Sequence, residues 1–153
     1  MNGDIVIDTN VLVHANNPEV PRQGDSINFI ENLLASELEI CVDEGFNIIE
    51  SNNRSHIGHE YHTHLVFGML GFAFLAQMAQ SNRIKIISKK VNQKIDKMLK
   101  QRISNNGDKV FVKITINSSK KILISHDFDD FPKNIRSFLK DSFDIEVLTA
   151  SEY

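Results

Sequence analysis

Two aspartates each follow a short apolar run, an arrangement that could hold a metal ion. Asp8 comes directly after residues 5–7 (Ile-Val-Ile), and Asp127 lies close behind residues 122–125 (Ile-Leu-Ile-Ser). If both runs are strands of one parallel sheet, the aspartates lie at the edge where such sheets bind ligands. Converging carboxylates repel each other unless a cation neutralises them, and Mg²⁺ and Mn²⁺ prefer such oxygen ligands. The pair therefore predicts a divalent-cation site, although each aspartate could instead only cap the next helix or turn.

The elements around these aspartates predict an α/β fold with a mainly parallel sheet. Strands are predicted at 5–7, 39–43, 122–125 and 145–148, and helices over 25–36, 55–80, 90–103 and 133–142. Asp25 or Ser26 is expected to cap the first of these helices. Residues 109–116 are ambiguous, because their β-branched content favours a strand whereas residues 105–108 could begin a helix. The 153 residues contain no linker and no repeat, so we expect one domain over 1–153.

The order of several short motifs resembles that of PIN-domain nucleases. Residues 7–12 (Ile-Asp-Thr-Asn-Val-Leu) are similar to the opening signature of that family, and residues 124–131 resemble its late signature. Asp108, nineteen residues before Asp127, is similar to the family's acid at a helix N-terminus. Residues 57–65 resemble the helix that carries the family's second acid in one bacterial branch. The resemblance implies a three-layer α/β/α sandwich around a sheet of roughly five strands. It also implies that residues 109–118 are helical.

The same resemblance implies roles for individual residues. The implied catalytic acids and metal ligands are Asp8, Glu60, Asp108 and Asp127, with Asp130 as a further ligand. Asn10 would hydrogen-bond beside the metal, and Ser125 would orient Asp127. The implied cofactor is Mg²⁺ or Mn²⁺, which would activate water for phosphodiester hydrolysis and leave a 5′-phosphate and a 3′-hydroxyl. The resemblance alone indicates RNA, single-stranded or structured, rather than DNA as the substrate.

Two departures from the family pattern leave alternatives for the acids. Residues 46–56 look like an insertion before the acidic helix, so Glu50 rivals Glu60 as the second acid. We favour Glu60, because its surroundings continue into an apolar helical face. Phe131 lies one residue farther from Asp127 than in the commonest form, so Asp129 or Asp130 could supply the late acid.

Four histidines, His56, His59, His62 and His64, crowd the same segment. An i, i+3 pair on a helix can bind zinc, but no second cluster completes a four-ligand site. A solvated or partly packed group is the simplest interpretation. The alternative is that His59 or His62 lines the mouth of the catalytic site.

Charge is distributed unevenly along the chain. The formal charge is −9 over residues 1–82, +10 over 83–121 and −4 over 122–153. Because RNA is a polyanion, the basic segment is a candidate binding surface, with Lys97, Lys100, Lys109 and Lys113 as the predicted contacts. A solvated lysine-rich helix face would give the same pattern.

The longest apolar stretch, residues 65–76, contains two glycines and is shorter than the ~20 apolar residues that span a bilayer. It predicts a buried helix or, over residues 65–79, a homodimer interface rather than a membrane anchor. A single cysteine, Cys41, suits a reducing cytoplasm, and residues 1–13 lack the charge pattern of a signal peptide. A toxin held by an inhibitory protein partner and an RNA-processing enzyme both stay open. A degenerate PIN-like domain that binds RNA or protein without cutting is the non-enzymatic alternative.

Overall fold

A parallel sheet of five strands forms the centre of the fold in the computed structural model, which describes residues 3–153. The strands are β1 (Asp4–Ile7), β2 (Glu39–Asp43), β3 (Ile84–Ile87), β4 (Ile122–Ile124) and β5 (Glu146–Leu148). Their order across the sheet is β3-β2-β1-β4-β5, and each neighbouring pair is parallel. The predicted α/β class with a parallel sheet is thus confirmed.

Helices cover both faces of this sheet. They are α1 (Thr9–His14), α2 (Gln23–Leu34), α3 (His56–His64), α4 (Leu70–Gln80), α5 (Gln93–Arg102), α6 (Asn106–Asn117) and α7 (Lys133–Phe143). All the side chains of β1 are buried, and because successive strand side chains point to opposite faces, both faces must be covered. Helix α6 packs on β1, β2 and β4, and α3 packs on β2. The result is the three-layer sandwich.

The strand order fixes where a ligand site can form. The chain lays β2 and β3 on one side of β1 and then returns to place β4 and β5 on the other side. The connections therefore diverge between β1 and β4, and in open parallel sheets the crevice at such a point receives the ligand. Asp8 follows β1 and Asp127 follows β4, so both lie at this crevice.

The single helix predicted over residues 55–80 is wrong, because the chain breaks between α3 and α4. Leu65 is extended, with φ −116° and ψ 113°, and Gly68 has a φ of 99°, which favours glycine. The connection exposes Val66 and Phe67, the latter by 92%. Apolar residues in this loop mimic a helical face, so periodicity could not reveal the break. No helix among residues 3–153 is long and apolar enough to cross a membrane.

Other local differences have equally local causes. Helix α2 begins at Gln23 with Arg22 at its N-cap, so the predicted capping by Asp25 or Ser26 is wrong. Helix α5 begins at Gln93, where the Asn92 side chain accepts a hydrogen bond from the backbone N–H of Ile95. Strand β3 escaped prediction because it has only four residues, including a lysine. The ambiguous segment 109–116 is helical, within α6, as the family resemblance implied.

Candidate active site

Five acidic side chains line one cavity of about 330 Å³ at the carboxyl ends of β1 and β4. They are Asp8, Glu60, Asp108, Asp127 and Asp130. They come from the end of β1, helix α3, the first turn of α6 and the loop after β4. A larger cavity, of about 480 Å³, lies beside α2, but Asp25 is the one carboxylate in its lining. Acidic lining, and not volume, therefore distinguishes the first cavity.

Asp8 lies at the centre of this acidic group and is nearly buried, at 7% exposure. Its Oδ2 accepts hydrogen bonds from the Ser125 hydroxyl, at 2.8 Å, and from the Asn10 amide, at 3.3 Å. Burial, with a smaller contribution from the charges of Asp127 and Glu60, raises the pKa of Asp8 to about 6 despite the hydrogen bond from Ser125. Asp8 is therefore a carboxylate whose negative charge lacks a counterion within the described residues.

Polar contacts hold the loop after β4 against Asp8. The Ser125 hydroxyl accepts from the backbone N–H of Asp127 at 3.1 Å while it donates to Asp8. The Asn10 side-chain oxygen accepts from the backbone N–H of His126 at 3.1 Å. Asp127 Oδ1 in turn accepts from the backbone N–H groups of residues 129 and 130, at 3.1 and 2.9 Å. Asn10 and Ser125 thus connect Asp8 to the loop that carries two of the other acids.

Asp108 enters the cavity from the first turn of α6. The helix begins there because the Asn105 side chain accepts a hydrogen bond from the backbone N–H of Asp108, at 3.1 Å. Asp108 is 8% exposed, and its Oδ2 is buried without a hydrogen-bond partner within residues 3–153. Burial, followed by the neighbouring Asp130 carboxyl, raises the pKa of Asp108. Asp108 therefore keeps its proton to a higher pH than an ordinary aspartate does.

Glu60, and not Glu50, reaches the cavity. The buried Tyr61 hydroxyl donates to the backbone carbonyl of Ile7 at 2.6 Å, which fixes α3 against β1 and carries the neighbouring Glu60 to the site. Glu60 Oε2 lies 3.8 Å from His64 Nε2. Glu50 belongs to a 3₁₀ turn, Glu50–Asn52, and lines a separate cavity with Phe67.

His64, rather than His59 or His62, lines the acidic cavity. The His62 ring instead contacts the Asn47 carbonyl at 2.8 Å, and His59 is exposed. Sequence analysis missed His64, although its i+4 spacing from Glu60 was a usable signal. It also missed Thr9, which lines the cavity and whose hydroxyl is buried without a hydrogen-bond partner in the described chain.

None of the predicted substrate-binding lysines lines the cavity. Lys100 and Lys113 each form an ion pair with Asp96, with N–O distances of 2.9 and 3.0 Å. Lys109 donates to the Asn106 side chain at 3.1 Å, within the first turn of its own helix. A role for Lys97, Lys100, Lys109 and Lys113 in RNA binding remains a prediction. For Lys100 and Lys113, however, part of the charge is already matched by Asp96.

The residues of the cavity fit a hard divalent cation. Over residues 3–153, no three His, Cys, Asp or Glu side chains converge tightly enough to form a ready-made metal site. The acids instead surround the cavity of about 330 Å³, which has room for a cation together with bound waters. Asp108 and Thr9 both line this cavity, and each has a buried side-chain oxygen without a hydrogen-bond partner in the described chain. With the four other carboxylates of the lining they form an oxygen-rich set that suits Mg²⁺ or Mn²⁺ with bound waters.

Comparison with known proteins gives a structural likeness alone. The chain matches no protein-family model and no curated protein. It resembles a chain in the crystal structure of VapBC2 from Rickettsia felis bound to a DNA fragment from their promoter, with a TM-score of 0.52. The sequences are 14% identical, and the match covers 95% of this chain and 98% of that chain. A likeness at this identity supports a PIN-like fold and leaves the function to the site.

Proposed function

We propose that this chain is a Mg²⁺- or Mn²⁺-dependent endoribonuclease. The observation that carries the proposal is the joint placement of Asp8, Glu60, Asp108, Asp127 and Asp130 around one cavity at the crevice between β1 and β4. Buried acids with raised pKa values at such a crevice are typical of functional sites, because an acid with a purely structural role would be paired with a cationic side chain. A divalent cation is the simplest group that would neutralise these acids here.

The four catalytic acids would hold the metal, with Asp130 as a further ligand. When bound, the cation would activate a water and stabilise the charge that develops on the phosphate. Ser125 and Asn10 keep the Asp8 carboxylate in place through the bonds described above. They also tie it to Asp127 and to the backbone of residue 126. These two residues therefore set the distance between acids on neighbouring strands.

The raised pKa values also bear on how the site would take up a metal. A bound cation would favour the charged form of Asp8 and Asp108, so protons held by these carboxyls would be released on binding. Glu60 keeps 35% of its side chain exposed, whereas Asp8 and Asp108 are buried. This exposure would suit Glu60 to accept a proton from water that enters the cavity.

We further propose that the enzyme works with a protein partner that restrains it. The structurally similar VapBC2 is a complex bound to a promoter DNA fragment. A gene for a small DNA-binding protein next to the gene for this chain would support a toxin. Its absence, together with defined cleavage of one RNA, would instead support a processing enzyme.

Cleavage of a 5′-labelled single-stranded RNA by the purified chain tests the proposal. We expect cleavage with Mn²⁺ or Mg²⁺, none with excess chelator, and products that carry a 5′-phosphate and a 3′-hydroxyl. Cleavage that persists in chelator, or products with a 2′,3′-cyclic phosphate, would contradict a metal-dependent mechanism. Metal-dependent RNA binding without any cleavage would identify the degenerate binding module instead.

A further inference from the structure

Two arginines and an exposed phenylalanine form a cluster beside the acidic cavity. The guanidinium carbon of Arg22 lies 4.8 Å from the centroid of the Phe128 ring, and that of Arg136 lies 4.5 Å from it. Phe128 is 42% exposed and directly follows Asp127, which lines the cavity. The Cα atom of Phe128 is therefore about 3.8 Å from that of Asp127, a proposed metal ligand.

Neither guanidinium group forms an ion pair in the described chain, although hydrogen bonds from Thr149 and then the charges of both arginines lower the pKa of Glu152. Neither Arg22 nor Arg136 has a carboxylate oxygen within 4.0 Å among residues 3–153. Arg136 donates from Nε to the Phe131 carbonyl at 2.8 Å, while its Nη2 is buried without a partner. Glu152, the nearby acid, accepts from the backbone N–H of Thr149 instead. Two like charges held against one ring repel each other, so an anion that approached them would be attracted by both.

The lysine segment differs from this cluster in its ion pairs. Lys100 and Lys113 share the counterion Asp96, whereas neither arginine forms an ion pair in the described chain. Neither the four predicted lysines nor the three residues of the cluster line the cavity itself. A strand that lies across five acids needs positive charge close to the point of cleavage. Phe128 directly follows Asp127, as Lys109 directly follows Asp108, but Lys109 donates to the Asn106 side chain whereas the arginines adjoin an exposed aromatic ring. The arginines therefore meet that need better than the lysines.

We infer that Arg22, Phe128 and Arg136 form a binding surface for the single RNA strand next to the phosphate at the acidic cavity. This inference rests on the proposed function for its substrate. The Arg22 guanidinium can bind a phosphate through paired N–H donors and stack on a base, which an ammonium group cannot do. Arg136, whose Nε donates to Phe131 and whose Nη2 is buried, contributes mainly its positive charge. An exposed aromatic ring combined with arginines is the composition of surfaces that bind single strands with little sequence preference. An acidic peptide would use the charges but would gain little from the ring.

Binding of a fluorescent single-stranded RNA to the Asp8→Asn protein tests the inference without cleavage. We expect Arg22→Gln to weaken binding about tenfold and to lower the log–log salt slope by about 0.7, the value for one phosphate contact on a single strand. Arg22→Lys should restore the slope but not the full affinity, since it keeps charge and loses stacking. Phe128→Leu should weaken binding several-fold while it leaves the slope nearly unchanged, since it removes no charge.

Lys121→Gln is the matched control, because it removes one positive charge just before β4, at the opposite edge of the sheet. It should leave both the affinity and the slope unchanged. Equal effects of Lys121→Gln and Arg22→Gln would overturn the inference, as would unchanged binding in Arg22→Gln together with loss in Lys97→Gln. Loss of poly-glutamate binding but not of RNA binding in Arg22→Gln would also overturn it, and would identify a protein-docking site.

The proposed function and this inference fail separately. If the chain with Asp8 intact cleaves the RNA but Arg22→Gln binds it normally, the inference falls and the nuclease stands. If it never cleaves but Arg22→Gln loses RNA binding, the binding surface stands and the nuclease falls.

Discussion

Two buried aspartates lie at the two ends of β1, and their surroundings are opposite. Asp4, at the N-terminal end, is 1% exposed and accepts from Lys85 Nζ at 2.6 Å and from the backbone N–H groups of Ser119 and Lys120 at 3.0 Å. Burial alone would raise its pKa, but these donors outweigh that effect and lower the pKa of Asp4 to about 2. Asp8, at the C-terminal end, receives no cation from the described chain, and its pKa rises to about 6.

The difference separates a carboxylate that stabilises the fold from one kept for a ligand. Asp4 is fully partnered, so its charge stabilises the connections between β1, β3 and the loop before β4. Asp8 keeps a charge that the folded chain leaves uncompensated, and other acids face it across the same cavity. Such an arrangement costs stability unless a cation binds, so it is retained where function needs it.

The largest expected effect is a contrast between substitutions of the two aspartates: Asp8→Asn should lose activity, and Asp4→Asn should lose stability. Asp8→Asn should lower the RNA cleavage rate about a thousandfold, or ~4 kcal/mol in the barrier, because the amide keeps the shape but loses the charge that holds the cation. Its metal-free stability should stay equal or rise. Asp4→Asn should instead lower the free energy of unfolding by about 3 kcal/mol, because it leaves the Lys85 ammonium without its partner.

Cleavage assays on folded protein and urea denaturation of both variants measure the two quantities, the cleavage rate and the free energy of unfolding. Asp4→Asn should keep nearly full activity per folded molecule. Comparable loss of activity in both variants would show that Asp8 acts through the fold and would remove the distinction.

The pH dependence of stability should also have opposite signs at the two ends. The pKa of Asp4 is lowered, so its contribution is present above pH ~3.8 and is lost as the pH falls towards 2. The pKa of Asp8 is raised, so the folded state favours its protonated form, and stability is lost as the pH rises through about 6. Asp108 acts in the same direction as Asp8.

Thermal unfolding of the metal-free protein between pH 4 and pH 8 measures the loss of stability that Asp8 and Asp108 should cause as the pH rises. Asp8 alone should lower the free energy of unfolding by about 3 kcal/mol across this range. The loss should be smaller in Asp8→Asn, and Mn²⁺ should restore the melting temperature of the unmodified chain at pH 8. A melting temperature that rises steadily from pH 4 to pH 8 without metal would contradict the proposed repulsion.

A smaller effect should separate the two glutamates that sequence analysis left as rivals. Glu60→Gln should lower the cleavage rate about thirtyfold, or ~2 kcal/mol, because Glu60 lines the cavity but is partly exposed. Glu50→Gln is the matched control, since it makes the same change in the separate 3₁₀ turn. Activity lost in Glu50→Gln and retained in Glu60→Gln would reverse our assignment of the second acid.

The sequence predicted the sheet and the crevice because strand runs and strand-end aspartates are local signals. Residues 5–7 and 122–125 gave two central strands, and the alternation with helices gave the parallel order. The break between α3 and α4 and the short β3 were missed because their patterns depend on tertiary contacts. The choice of Glu60 over Glu50 agrees with the cavity lining, but it came from helix continuity and not from any signal of proximity.

The positively charged residues are the clearest case in which the sequence predicted composition but not contacts. The count of lysines in residues 83–121 revealed a basic segment, yet it could not show that Asp96 pairs with Lys100 and Lys113. Arg22 and Arg136 are more than a hundred residues apart in sequence and meet only through the Phe128 ring. No local pattern in the sequence could have brought them together.

Calorimetric titration of Mn²⁺ into the metal-free chain near pH 6, in buffers of different ionisation enthalpy, tests the central claim most directly. Because the pKa values of Asp8 and Asp108 are raised in the metal-free chain, metal binding should release protons, and the observed heat should vary with the buffer. Asp8→Asn should bind much more weakly and release fewer protons. Absence of Mn²⁺ binding, or equal binding and proton release in Asp8→Asn, would contradict the claim that these carboxylates form a metal site.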